Sequence, residues 1–382
     1  MKTRYQFLDV YRGIVVLLMI QGHVVRELLH QSLQSEAFFR AHELFHGITG
    51  SGFLFGAGIT FGISAQVRWD EYLTFTPALR KRLKRILLLL GIAYALHLPF
   101  LSLSKTLTNA TTEDWRAFWS FDVLQCIGFG LLILQVAVFI VRKERWFAVS
   151  LALLMLVGVY SAPWLWGEGN ALPPFLAYAL TGNGGSVYPL IPNAAFLFAG
   201  ALVSYEFLRS VRLGMEVQFV KRLALAGIGL HGAGLILEAL PFQVYGNHDY
   251  WSTSPNFFLI KLGGIFLLMC GAWYFGRTNF VQRHPRILRW LIILGVESLF
   301  VYVVHLILLY GSVLNPDVSV SRMWFQSVNW GGALAAVAGF SMLLIFVAWL
   351  WNAFKHSDPI LARGLNWWMG TALVVEFITR SY

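Results

Sequence analysis

The first apolar segment of the chain carries an unusual number of ionisable side chains. Asp9 and Arg12 lie near its start, and His23 and Glu27 lie near its end. On an α-helix the eleven steps from Arg12 to His23 leave a net rotation of about 20°, so the two side chains share one face. Glu27 follows His23 by one turn, the spacing at which a carboxylate can orient an imidazole and raise its basicity. This face therefore predicts an anion-binding cation at one end and a general base at the other.

Polar side chains recur inside the other apolar segments. An ionisable group at membrane depth is costly and is a candidate functional residue by default. Six segments place such a group toward one side of the membrane: His23, His97, Asp122 with Gln125, Glu238, Lys261 and His305. A second set lies toward the other side and contains Asp9, Arg12, Glu206 and Glu297. The distribution predicts a polar cavity on one side, joined to a basic mouth on the other.

The composition indicates that these segments cross a membrane. The chain of 382 residues is 57% hydrophobic and 13% charged, whereas soluble domains average roughly 25% charged residues. Apolar windows long enough to span a bilayer fall at 8–29, 45–66, 86–103, 121–141, 146–165, 187–208, 222–240, 256–276, 290–314 and 328–352, with a weaker one at 365–379. We predict an all-α, polytopic integral membrane protein with about 10–11 transmembrane helices, forming a single domain over 1–382.

The basic residues predict the orientation of these segments. Most of them fall in alternate connections, including the runs at 80–85 and 142–145, on the side that holds the N-terminus. By the positive-inside rule the N-terminus is cytoplasmic. The same rule accounts for the formal charge of +10, so no nucleic-acid partner is expected. Cys126 and Cys270 both lie in apolar runs, and neither a disulfide framework nor a metal site is expected.

Several motifs resemble the transmembrane acyltransferase superfamily. Residues 4–23, RYQFLDVYRGIVVLLMIQGH, are similar to its first helix, R-x-x-x-L-D-x-x-R-G followed by a histidine, a pattern also seen in acyltransferase family 3. Four other segments resemble its heparan-alpha-glucosaminide N-acetyltransferase branch: 42–49 (HELFHGIT), 122–128 (DVLQCIG), 188–200 (YPLIPNAAFLFAG) and 302–305 (YVVH). The chain departs from the branch at Phe45, where the family has Trp, and after Thr49, where the usual Asp-Leu is replaced.

The resemblance implies an acyltransferase that moves an acyl group, in the first place acetyl, from cytoplasmic acetyl-CoA to a sugar or glycan acceptor at the outer face. It implies His23 or His42 as the general base, with Glu27 in support. Either the base assists direct transfer, or a histidine is itself acylated and passes the group on.

The resemblance also implies roles for other side chains, without a metal. Cations near the cytoplasmic mouth would hold the donor phosphates: Arg12 with Asp9, and Arg82 with Arg85. Polar groups on the outer side would contact the acceptor or steady the oxyanion: Asp122, Gln125, Lys261 and His305.

A proton-coupled small-molecule transporter is the alternative interpretation. In it His23, Glu27, Lys261, Glu297 and His305 form a relay, and activity depends on an ion gradient rather than on acyl-CoA. In either case we expect an integral protein of the bacterial inner (plasma) membrane that contacts membrane lipids, with oligomerisation left open.

Overall fold

The computed structural model describes residues 5–167, 172–242, 245–246, 248–315 and 317–381. Over these ranges the chain is helical and contains no β-strand. The α-helices are α1 (Gln6–Leu28), α2 (Ala37–His46), α3 (Ile48–Val67), α4 (Trp69–Tyr72), α5 (Pro77–Leu96), α6 (Leu103–Asn109), α7 (Thr112–Trp119), α8 (Val123–Val141), α9 (Glu144–Leu165), α10 (Pro174–Leu180), α11 (Leu190–Arg212), α12 (Glu216–Glu238), α13 (Pro255–Phe275), α14 (Asn279–Arg283), α15 (Pro285–Val296), α16 (Ser298–Tyr310), α17 (Val320–Trp324), α18 (Trp330–Ser357) and α19 (Pro359–Thr379).

Eight helices of the described chain are long and apolar enough to cross a membrane. They are α1, the α2–α3 pair taken together, α8, α9, α11, α12, α13 and α18. A ninth span would be α15 with α16, which are bent by 79° at Glu297. The protein is an all-α polytopic integral membrane protein, as predicted.

Two predicted spans fall outside that set. The window at 86–103 lies partly in α5, whose first half carries the basic run at 80–85, and the window at 365–379 lies in α19. The described residues therefore give a count of eight or nine, below the 10–11 expected from hydropathy.

The chain divides into two compact units, and each is described by itself. Unit 1 consists of Met1–Thr49, Leu98–Trp115 and Ala272–Tyr382, and unit 2 consists of Gly50–His97 and Arg116–Gly271. The single domain over 1–382 stays a prediction, because a division by contacts does not test whether either part folds alone.

Helix α1 is the central helix of unit 1. It packs along α15 and also contacts α16 and α18. A Cβ atom on Gly13 would lie 2.1 Å from the Leu291 carbonyl oxygen, so only glycine permits this approach of α1 to α15. Small residues at such contacts let membrane helices pack backbone to backbone.

The other end of α1 is held by an apolar cluster. Val25 and Leu29, at and just beyond this end, pack with Phe39 of α2 and Ala333 of α18. The backbone of Leu29 also forms a parallel bridge with Val328. Side chains projecting from the last turns of α1 are therefore placed by contacts with several other helices.

Unit 2 is organised around α11. This helix packs against α8 and α9, and the unit buries large aromatic side chains, among them Phe55, Phe147 and Phe196. The start of α8 is capped by Asp122, and Gln125 completes a capping box by reaching back to the backbone. Such a cap satisfies backbone N–H groups that would otherwise lack partners in the membrane.

Candidate functional site

Four histidines and one tyrosine of unit 1 form a cluster, here called the histidine cluster: His23, His42, His46, His305 and Tyr310. His23 of α1 is its centre. Its ring centroid lies 5.2 Å from that of His305, 5.5 Å from that of His46 and 5.7 Å from that of Tyr310, each in an edge-to-face arrangement. Three helices, α1, α2 and α16, therefore bring their titratable side chains to one point.

Tyr310 orients the imidazole of His23. The Nδ1 atom of His23 and the hydroxyl of Tyr310 are 2.8 Å apart. When Nδ1 carries the proton and donates it to this oxygen, the lone pair is on Nε2. Nε2 has no hydrogen-bond partner among the residues that the structure describes. His23 is thus a candidate base that is held by one ring nitrogen and open at the other, the arrangement that a general base requires.

His46 occupies space that α1 leaves open at Gly22. A Cβ atom on Gly22 would lie 1.7 Å from Nδ1 of His46, so any side chain at this position would displace the ring. The same Nδ1 atom lies 3.5 Å from the Thr49 hydroxyl. The ring also stacks on that of His42, one turn earlier in α2, with centroids 6.1 Å apart.

His42 forms the end of the imidazole series that lies next to a charged pair. Its Nδ1 atom is 3.5 Å from Oε1 of Glu43, and the other carboxylate oxygen of Glu43, Oε2, is 3.9 Å from the guanidinium of Arg26. The Arg26 side chain is 63% exposed, the His42 side chain is 8% exposed, and His305 is 0% exposed. The imidazoles therefore follow one another from an accessible charged pair to the interior of unit 1.

Two of these histidines have unsatisfied ring nitrogens. Neither nitrogen of His42 or of His305 makes a hydrogen bond of standard geometry within the described part of the chain. Buried polar atoms without partners are rare, and such a group in a native protein calls for an explanation. His42 and His305 are therefore candidates to accept a proton or a substrate group.

Glu27 does not orient His23, contrary to the prediction. Its carboxylate accepts a hydrogen bond of 2.7 Å from the Ser321 hydroxyl, on α17. The side-chain partner of His23 is instead Tyr310. Glu27 follows His23 at the predicted helical spacing. Its hydrogen-bond donor, Ser321, belongs to α17, and the periodicity of α1 alone cannot predict a contact with another helix.

The cations predicted to bind the donor are divided between the two units. In unit 1, Arg12 lies 4.0 Å from Asp9 as the i,i+3 spacing predicts, with side chains 28% and 9% exposed. In unit 2, the Arg82 guanidinium lies 3.9 Å from the ring centroid of Tyr72 and 4.2 Å from that of Phe61. Arg85 is exposed on α5. Arg4, the first residue of the quoted motif, lies outside the described residues.

The remaining predicted site residues lie in unit 2, apart from His305. Asp122 and Gln125 form the cap of α8, and the Gln125 amide is 3.3 Å from Nδ1 of His97. The Lys261 ammonium lies 4.5 Å from the ring centroid of Phe257. Their roles toward an acceptor or an oxyanion stay predictions. His305, by contrast, contacts His23 within unit 1.

Two members of the cluster, His46 and Tyr310, were not among the site residues predicted from the sequence. His46 carries a usable signal, because it follows His42 by four residues and so shares a helix face with it. Tyr310 carries none, because its bond to His23 joins residues 287 positions apart.

The sequence profile of the family described as "Heparan-alpha-glucosaminide N-acetyltransferase, catalytic" matches residues 4–233, more than half of the chain. The chain belongs to this family. Its function is accordingly that of a membrane acetyltransferase-like protein. The matched region includes α1 and α2, which carry three of the clustered histidines, whereas α16, which carries His305 and Tyr310, lies beyond it. No curated protein matches the chain.

Proposed function

We propose that the protein transfers an acetyl group from cytoplasmic acetyl-CoA to a hydroxyl or amine of a sugar or glycan at the outer face of the bacterial inner membrane. The observation that carries this proposal is the line of imidazoles from His42 through His46 to His23. A line of imidazoles suits an acyl transfer, in which one proton leaves the acceptor and one reaches the donor sulfur.

The distribution of basic residues supports the orientation in this proposal. With the N-terminus on the cytoplasmic side, α1 begins at the inner surface and its later turns, which carry His23, approach the outer surface. The donor would then enter from the side where Arg12 lies, and the acceptor from the side of Arg26 and Glu43. Arg12 would bind a donor phosphate as a cation.

The proposed reaction moves one proton along the cluster. His42, next to the carboxylate of Glu43, takes the proton from the acceptor hydroxyl or amine as that atom attacks the thioester carbonyl. The proton passes from His42 through His46 to Nε2 of His23. The tetrahedral intermediate then collapses, the carbon–sulfur bond breaks, and the sulfur receives this proton from Nε2 of His23, which restores the starting state.

Direct transfer and a two-step route differ in one intermediate. In the two-step route an imidazole nitrogen attacks the thioester, CoA leaves as the thiol, and the acetyl group passes from the histidine to the acceptor. Release of one equivalent of thiol before acceptor is added would identify the second route.

The experiment uses the purified full-length protein in nanodiscs with radiolabelled acetyl-CoA and amino-sugar or hydroxyl acceptors. We expect acceptor-dependent thiol release that falls about 100-fold or more in His23→Ala and in His42→Ala. His30→Ala is the matched control, because His30 follows the same helix, is exposed, and bonds only to Ser32.

Full activity in both His23→Ala and His42→Ala would refute the assigned chemistry. Gradient-driven uptake of a solute without any dependence on acetyl-CoA would instead support the transporter.

A further inference from the structure

A polar cleft lies in unit 1 at the opposite end of α1 from the histidine cluster. It has a volume of about 330 Å³ and is lined by Gln6 of α1, by Arg289 of α15, and by Asn352 and His356 of α18, over an apolar floor. A second cavity of about 280 Å³ adjoins it and shares Arg289, Asn352 and His356. No lining residue of either cavity, as described, is a carboxylate.

Arg289 is an exposed residue that lines the cleft, as Arg286 is an exposed residue that does not. The Arg289 guanidinium has neither an ion-pair partner nor a hydrogen-bond partner among the described residues. The neighbouring carboxylate of Glu297 is already neutralised, because Lys355 pairs with it and the Asn352 amide donates to it over 2.8 Å. The cleft therefore carries net positive charge without an internal counter-ion.

The start of α15 also adds positive potential at the cleft. This helix of 12 residues begins there with Pro285 in its first turn, and the N-terminal end of a helix dipole favours an anion. Nδ1 of His356 donates to the Asn352 carbonyl oxygen over 2.7 Å, so this ring is held within α18.

The ends of three helices border the cleft. It is bordered by the first residue of α1, the first residue of α15 and the end of α18, so these helices terminate together at one boundary of the membrane-spanning region. Basic pockets between membrane helices at this level are suited to anionic headgroups.

We propose that this cleft is a phosphate-binding site in which the Arg289 guanidinium makes the principal contact and the N-terminal end of α15 adds favourable potential. A phosphate there has two sources: the headgroup of an acidic phospholipid, or the phosphates of the acetyl-CoA donor. Binding of the acetyl-CoA phosphates rests on the proposed function, whereas binding of a phospholipid headgroup is independent of it.

The test measures binding rather than turnover. Native mass spectrometry of the full chain would compare occupancy by short-chain phosphatidylglycerol and by phosphatidylcholine, and calorimetry would compare acetyl-CoA with its 3′-dephospho form. In Arg289→Gln we expect affinity for phosphatidylglycerol, or preference for acetyl-CoA over the dephospho form, to fall about tenfold.

Arg286→Gln is the matched control, because Arg286 is exposed on the same helix but does not line the cleft. We expect it to change either affinity less than twofold. A loss confined to phosphatidylglycerol identifies a lipid site, and a loss confined to the 3′-phosphate preference identifies a donor site.

Equal losses in Arg286→Gln and Arg289→Gln would overturn the proposal, because they would indicate diffuse surface charge. Unchanged binding of both ligands in Arg289→Gln would overturn it as well. Acetyl transfer assayed separately on the wild-type protein tests the proposed function, so failure of one does not imply failure of the other.

Discussion

The two ends of α1 differ in how the helix meets its neighbours. Near the cleft, Gly13 approaches the backbone of α15 at Leu291, whereas near the histidine cluster, Gly22 approaches the side chain of His46. A backbone carbonyl inside a packed helix cannot move aside, but an imidazole can rotate. The first glycine therefore governs whether unit 1 packs, and the second governs where a reactive side chain lies.

The chemistry at the two ends differs as well. The cleft holds an exposed cation, Arg289, whereas the cluster holds imidazole rings that contact one another and include the fully buried His305. From Gln6 to His23 the helix rises about 26 Å. The proposed binding of charge and the proposed transfer of protons are thus separated along one helix, so each can be tested without altering the other.

Gly13→Ala is expected to have the largest effect on stability. The added methyl group would meet the Leu291 carbonyl at 2.1 Å, and overpacking of this kind costs about 1–3 kcal/mol. Thermal unfolding in detergent would measure the loss. Gly339→Ala in α18 is the control, because nothing lies within 4 Å of the added atom. Equal stability of the two variants would remove the distinction between the two ends of α1.

Gly22→Ala is expected to act on activity more than on stability. The methyl group would displace the His46 ring, and a misplacement of about 1 Å can cost as much as 100-fold in rate. We expect acetyl transfer to fall roughly 10- to 100-fold while the unfolding temperature changes less than in Gly13→Ala. Activity assays and thermal scans on the same preparations would check this. A variant that is unstable but active per folded molecule would contradict it.

Tyr310→Phe is expected to have a smaller effect. It removes the hydroxyl that orients His23 without changing the ring, and loss of one such hydrogen bond corresponds to about tenfold. Because Tyr310 acts through His23, kcat should fall while KM for acetyl-CoA stays within twofold. Steady-state kinetics would separate the two constants. An unchanged kcat would show that the bond to His23 does not contribute to the reaction.

Glu27→Gln should have the smallest effect. Its carboxylate bonds to Ser321 rather than to His23, and glutamine retains an oxygen that accepts the same bond. We expect transfer activity within about twofold of wild type, since surface-level changes of this kind stay near 0.5 kcal/mol. A loss comparable to that of Tyr310→Phe would restore Glu27 as a partner of the base.

Much of the cluster could be anticipated from residue types, but its contacts could not. His23 and His42 were identified by spacing and resemblance, and both lie in the cluster. His305 was identified by its depth and is fully buried against His23, and its role toward the acceptor or the oxyanion stays a prediction. Glu27 was assigned to His23 because helical periodicity describes only one helix and does not include a donor from α17.

Hydropathy likewise predicted some features better than others. The long apolar helices follow from uninterrupted apolar runs, because each backbone hydrogen bond within such a helix is satisfied locally. The break between α15 and α16 could not be predicted from apolar runs, because Glu297 at the break is stabilised by Lys355 and Asn352, which belong to a different helix, α18.

The amino-acid sequence by itself determined the membrane class, the all-α architecture, the family and the helix face that joins Arg12 to His23. These features depend on composition and on the regular geometry of single helices. Only the tertiary structure decided that Tyr310 holds His23, that Gly22 makes room for His46, and that Arg289 faces a cleft without a counter-ion. The physical reason is that such contacts join residues from different helices, and their distances depend on packing between elements that no local periodicity encodes.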